Sequence, residues 1–323
     1  MNLKSLWILV LACVATTLSA QKKPLDQSAY DGWKSIVSPK VSENGDWICY
    51  AITPQRGDAL LEFYNAGTKQ TTRIERGGSP AWFNNDTWAT FKIAVPFAKV
   101  RKAKIDKVKA DKMPKDTFAV MNLAEMKVVK LPGAKELKTS AKGALYAYTY
   151  EVTPVKDTTV KDSAAKGNKT PGKYDRLVVV DVRTGDSTVV DSVKNFTVAE
   201  NGRSVLYTRE ADSLKAVYVY TVDPKRGVLQ RELWSSKLGA VSPSLVLDRS
   251  GEQGAFLVTA DTVKHALYDL YYFSTTDLKP RQVADAQIIG LPGGYAVSRF
   301  GNLSFNHEGN RLQFGIAPKP KEV

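Results

Sequence analysis

The sequence predicts an all-β protein, an incomplete β-propeller of about five to six blade units. Three observations predict it. A polar turn followed by a β-rich run recurs six times along the chain. The segment "SENGDWICYAI", Ser42 to Ile52, carries apolar residues on both alternating sets, Trp47, Cys49 and Ala51 against Ile48, Tyr50 and Ile52. A half-buried strand would show polar residues on one face, so this strand is expected to be covered on both sides. Hairpin signals accompany several of these runs, and the units repeat at a period near 40 residues, the repeat of a four-stranded blade. A β-sandwich is the alternative, but its strands would alternate more cleanly and the 40-residue self-similarity would be accidental.

Residues 1–20 precede the fold. Lys4, the apolar run Leu6 to Val14 and the small pair Ser19-Ala20 read as an export signal cleaved after Ala20. The run is too short for a comfortable membrane span. Leu11-Ala12-Cys13 weakly resembles a lipoprotein site, which would leave a lipidated Cys13, but the Ala20 boundary fits the signal better. Export to the periplasm or the extracellular space permits disulfides. Without Cys13, however, only Cys49 remains, so residues 21–323 must be held together by packing. Cys49, mid-strand between apolar neighbours, reads as a small buried hydrophobe.

The six turns centre on Gly45, Asn85, Gly143, Gly202, Gly251 and Gly309, spaced by roughly 40 to 60 residues. Two of the long gaps hold an insertion. Lys99–Asp116, "KVRKAKIDKVKADKMPKD", carries eight Lys/Arg against three Asp. Val155–Tyr174 is polar and of low complexity. Trimming each of them restores a unit of about 40 residues. Within units, turns at Asn65-Ala66-Gly67, at Thr184-Gly185-Asp186 and at Asp223 to Gly227 predict hairpins. "GDWICYAITP" from Gly45 and "GNRLQFGIAP" from Gly309 share Gly, Ile and Pro in register, yet only five residues follow the second. The expectation is an unfinished last blade with an exposed edge prone to self-association.

Lys23–Asp58, "KPLDQSAYDGWKSIVSPKVSENGDWICYAITPQRGD", resembles the start of large exported serine peptidases of the prolyl oligopeptidase family. "ADKMPKD", Ala110 to Asp116, resembles an insertion of the same proteins. That resemblance implies a propeller that limits access to an α/β-hydrolase domain bearing Ser, Asp and His. No Gly-x-Ser-x-Gly elbow occurs here, so the chain is expected to be the non-catalytic propeller side, docking or gating a separate hydrolase domain. No catalytic or ligand-binding residue carries over from the family. A stand-alone cell-envelope propeller that binds peptide or glycan is the alternative, and a residual hydrolase is a third.

The residues offer little independent chemistry. Net charge is +13, but no aromatic or Gly-rich elements interleave with the Lys99–Asp116 charges as nucleic-acid binding would require. His265 and His307 are the only histidines, the first beside a Tyr-rich strand and the second in a polar turn. A triad would need one of them beside a serine. No metal or other cofactor is expected, since paired Cys and clustered His are missing. "GNKTPGKY", Gly167 to Tyr174, falls short of a phosphate-binding loop because Tyr174 stands where Ser or Thr should. Asp181/Asp186 and Asp157/Asp162 read as turn or insertion residues. Trp47, Trp82, Trp88 and Trp234 read as core residues rather than as a platform for sugars.

Overall fold

The computed structural model describes residues 30–154, 172–223, 227–263 and 266–319. Blade 1 consists of β1 (Lys34–Val41), β2 (Trp47–Pro54), β3 (Leu60–Asn65) and β4 (Thr71–Glu75), paired antiparallel in that order. Blade 2 is β5 (Gly77–Phe83), β6 (Trp88–Ile93), β7 (Thr117–Asn122) and β8 (Lys127–Leu131). Blade 3 is β9 (Ala134–Thr139), β10 (Leu145–Val152), β11 (Tyr174–Asp181) and β12 (Ser187–Val190). Blade 4 is β13 (Val193–Val198), β14 (Ser204–Ala211), β15 (Leu214–Asp223) and β16 (Gly227–Ser236). Blade 5 is β17 (Ala240–Leu247), β18 (Gln253–Thr259), β19 (Asp269–Ser274) and β20 (Arg281–Ala284).

The sixth unit is a broken hairpin. β21 (Tyr295–Val297) pairs with β24 (Ile316–Pro318), and β22 (Ser304–Phe305) with β23 (Leu312–Gln313). Between the two pairs the backbones of Gly301 and Gly315 come so close that neither could carry a Cβ. Among the described residues no strand of this unit pairs with blade 1, no core cluster joins the two, and β1 is exposed throughout, so the described units form an open arc.

The core sits between blades rather than within them. One cluster joins blades 1 and 2 through Leu61, Phe63, Phe91 and Met121. Phe83, Val120, Leu131 and Tyr146 join blades 2 and 3; Leu177, Val179, Phe196 and Tyr207 join 3 and 4. Leu206, Val219, Phe256 and Phe273 join 4 and 5, and Leu257, Leu270 and Val297 join blade 5 to the sixth unit. A central strand therefore spends both of its alternating sets on neighbours. In β10, Leu145 and Ala147 face blade 4 while Tyr146 and Tyr148 face blade 2. Each buried aliphatic or aromatic side chain is worth about 1.5–3 kcal/mol of apolar transfer, which makes these junctions the main source of cohesion.

The strand β2 corrects one expectation. Trp47, Cys49 and Ala51 are buried against blade 2, whereas Ile48, Tyr50 and Ile52 are only half covered. Both sets are apolar, yet one set has no blade against it. The strand before it is barer still. All eight residues of β1 are exposed, unlike every other inner strand.

The blades also begin one strand earlier than the turns indicate. Each inner strand precedes its turn, and three of them carry Ser-Pro at a break in register: Ser38-Pro39, Ser79-Pro80 and Ser242-Pro243. Proline donates no ladder hydrogen bond, so it is tolerated on a strand with one unpaired side and at a bulge. Ser38 and Ser79 take φ of 51° and 50°, a left-handed conformation costly for non-glycine residues.

The three predicted hairpin turns join β3 to β4, β11 to β12 and β15 to β16, although 224–226 of the last lie outside the described residues. Lys99–Asp116 lies between β6 and β7. There Pro96 precedes α1 (Phe97–Ile105), none of whose residues is buried. Ala, Lys and Arg favour the helix, and the Asp58 carboxylate accepts the Phe97 amide at 2.7 Å. Most of Val155–Tyr174, with Asp157 and Asp162, lies outside the described residues, as do 1–20, Cys13 and His265.

Candidate functional site at the axial rim

Six turns separate the inner strand of each unit from the next strand, and they gather at one end of the arc. They are the turns at Gly45, Asn85, Gly143, Gly202, Gly251 and Gly309. In five of them the glycine or Asn-Asp sequence is needed because the turn enters the left-handed region: φ is 76° at Gly45, and 52°, 51° and 62° at Asn84, Asn85 and Asp86; at Gly143 it is needed because the Asn201 backbone leaves no room for a Cβ.

Each turn is tied to the next. The Asp86 carboxylate accepts the amides of Glu43 at 2.6 Å and Asn44 at 3.3 Å. Asn84 and Asn85 donate backbone amides to the carbonyls of Ser140 (3.2 Å) and Ala141 (3.0 Å). The Lys142 amide donates to the Glu200 carbonyl at 2.8 Å, and the Asn201 amide to the Arg249 carbonyl at 3.2 Å. Ser204 Oγ donates to the Gly251 carbonyl at 2.6 Å, and Gln253 Nε2 to the Gly309 carbonyl at 2.6 Å. Every blade junction is thus closed at this end by at least one hydrogen bond between units. Typical net contributions are about 0.5–1.5 kcal/mol each, so the row is stiff mainly through its number of links.

Charged side chains project from the same turns. Lys142 pairs with Glu43 two blades away, and Arg249 pairs with Glu200, its Nη2 lying 2.7 Å from Oε1. The Arg249 guanidinium, aided by Lys142 and His307, holds the Glu200 carboxyl below the usual range against the opposing effect of burial. The Glu43 carboxylate, assisted by Asp86 and Glu200, raises the Lys142 pKa. The turns of blades 1, 3, 4 and 5 and of the sixth unit therefore share one electrostatic field, as turns converging on an axis must. These pairs are solvent-facing and contribute little to stability. Their effect is to present a fixed pattern of both signs, which favours recognition of a matching surface.

The residues singled out in the sequence distribute as follows. His307 is exposed on this rim, and no serine hydroxyl donates to it among the described residues. Asp181 accepts Arg183 Nη2 at 2.7 Å and the Arg183 amide at 2.9 Å. Burial raises the Asp181 pKa, but the Arg183 contacts outweigh it and leave the carboxyl depressed. Asp186 lies exposed in the same hairpin turn. Trp47 is buried and Trp82, Trp88 and Trp234 pack against the junction clusters. Cys49 is buried, its thiol pushed up to about 11 by desolvation. No group of three or more His, Cys, Asp or Glu could hold a metal ion among the described residues, and none of their helices is long and apolar enough to cross a membrane.

Glu43, Lys142, Glu200 and Arg249 carry no signal as individual residues. Their shared position, one or two residues before a turn glycine, is the pattern that would have found them.

No protein-family model matches the chain, and no curated protein matches it. Among solved structures, it is similar to the acylaminoacyl peptidase of Pyrococcus horikoshii, with 10% identity over 85% of this chain and 44% of that one, and a TM-score of 0.39. It is also similar to the β-propeller domain of the Trilobed protease from Pyrococcus furiosus, with 11% identity, 82% and 78% coverage and a TM-score of 0.38. TolB from Acinetobacter baumannii matches at 12% identity, 76% and 53% coverage and a TM-score of 0.31. The chain spans less than half the length of the acylaminoacyl peptidase it matches.

Proposed function

We propose that the chain is the non-catalytic propeller portion of an exported serine peptidase of the prolyl-oligopeptidase type, and that it docks or gates an α/β-hydrolase domain. The observation that carries this reading is the rim. Six turns, cross-linked at every junction and bearing paired charges of both signs, form one preorganised surface at the end of the arc. Such a surface loses little conformational freedom when a partner covers it. The half-covered face of β2 and the bare β1 supply a second surface that a larger assembly would bury. The family resemblance in Lys23–Asp58 and Ala110–Asp116 gives the partner its chemical class. Residues 1–20 would direct export, and the product would start at Gln21.

The test is to tag the chain in its source, capture it from the cell envelope and treat the eluate with a fluorophosphonate that labels serine hydrolases. A labelled polypeptide in near-equal amount, lost when Glu43 is changed to Lys and Arg249 to Glu, is the expected outcome. An eluate without a labelled species, with the tagged chain a monomer that saturates with one peptide or glycan, would replace this reading with the stand-alone binder.

A further inference from the structure

The end of the arc opposite the rim carries a trough that no part of the reading above uses. It crosses the places where β13, β17 and β21 begin. Three depressions make it up. The first is lined by Lys194, Arg209, Glu210 and Lys215; the second shares Lys215 and Ala240 with it and adds Lys237 and Asp261. The third shares Ala266, Tyr268 and Arg299 with the second and ends at Phe300. The trough is therefore continuous over blades 4 and 5 and the sixth unit.

We propose that this trough binds an acidic peptide in extended form. Five cations line it against two carboxylates, Glu210 and Asp261. Two of the cations are held in place. Arg299 lies over the Phe300 ring at 4.6 Å and the Tyr268 ring at 5.7 Å. Arg209 lies over Tyr218 at 5.6 Å and donates to the Asp191 carbonyl at 3.0 Å. Lys194, Lys215 and Lys237 pair with no carboxylate among the described residues; most of the described lysines share that property, but these three line one channel. Unpaired ammonium groups converging on one channel repel one another, and an anionic ligand removes that repulsion.

Apolar groups stand exposed between the charges: Leu238 at 61%, Val263 at 58% and Phe300 at 85%. A cation beside an exposed aromatic ring suits a chain that alternates carboxylates with apolar side chains. The two interleaved carboxylates argue against an evenly charged phosphate chain, which they would repel. They can instead accept hydrogen bonds from the backbone amides of a peptide.

A fluorescein-labelled nonapeptide alternating Glu with Phe and Leu, titrated with the whole chain and read by anisotropy, tests the assignment. The expected result is saturable binding that weakens with added salt. It should fall about tenfold or more in Lys215→Glu/Lys237→Glu, the loss expected when charge pairs at an interface are reversed. Arg299→Ala should weaken it separately, and a peptide with Lys in place of Glu should not bind. Lys127→Glu/Lys130→Glu, the same charge change on the outer strand β8, should bind as the parent does, and near-ultraviolet circular dichroism confirms that each variant is folded. Equal affinity in the Lys215/Lys237 variant, or an equal loss in the Lys127/Lys130 variant, would overturn the proposal. So would tighter binding of an oligothymidylate of matching charge, which would assign the trough to nucleic acid. Binding is read on this chain alone, so the result is independent of whether a hydrolase attaches to the rim.

Discussion

Glu62 is buried on the face of blade 1 that no described blade covers. Its carboxylate accepts Tyr50 Oη at 2.7 Å and Arg73 Nε at 2.8 Å, and these two side chains shield it in place of a neighbouring sheet. The Tyr50 hydrogen bond, with help from Arg73 and against the penalty of burial, lowers the Glu62 pKa. A depressed carboxyl contributes stability that is complete above its unfolded value, near 4.3, and is lost as pH falls through the folded value. Glu62→Gln should therefore lower stability by about 1 kcal/mol at pH 7, discounted because Arg73 is largely exposed. Thermal melts of both proteins should converge as the pH falls toward 3; a gap that stays constant with pH would contradict the assignment. Cys49 was legible in the sequence, because its apolar neighbours alone imply a buried thiol. Glu62 was not. Its partners lie 12 and 11 residues away on the two flanking strands, and only the register of the sheet brings them together.

At the scale of elements, the turns were legible and the strands before them were not. Glycine and Asn-Asp mark a turn, left-handed in five of the six units, so all six turns could be placed. The inner strands hide because "KSIVSPKV", "GGSPAWF" and "AVSPSLVL" contain proline, which ordinarily argues against a strand. Here it sits at a bulge, and the repeated Ser-Pro is itself the overlooked sign of the blade. The links between turns give a prediction. A Cβ at Gly143 would run into the carbonyl of Asn201 in the next turn, against backbone that cannot rotate away. Gly143→Ala should destabilise the protein by about 1–3 kcal/mol, the usual cost of overpacking, seen as a lower denaturation midpoint. An unchanged midpoint would mean that the turns are not in contact as described.

For the molecule as a whole, the period of about 40 residues conveyed the architecture and the match of the last unit to the first its incompleteness, while the bare face of blade 1 emerged only from the burial. An apolar second set on β2 reads the same in sequence whether or not a blade lies against it. Ile36 at 66% and Val41 at 61% exposure leave an apolar strip on that side. The isolated chain should therefore self-associate with rising concentration, and Ile36→Lys/Val41→Lys should return it to a monomer in sedimentation velocity. A parent protein that remains monomeric throughout would show that the strip is not adhesive. The arrangement of the core, one cluster at each junction and none shared by all, has a further consequence. Such a body has no keystone. Denaturant should peel it leaf by leaf from either margin inward, and the third and fourth leaves, flanked on both sides, should be the last to let go.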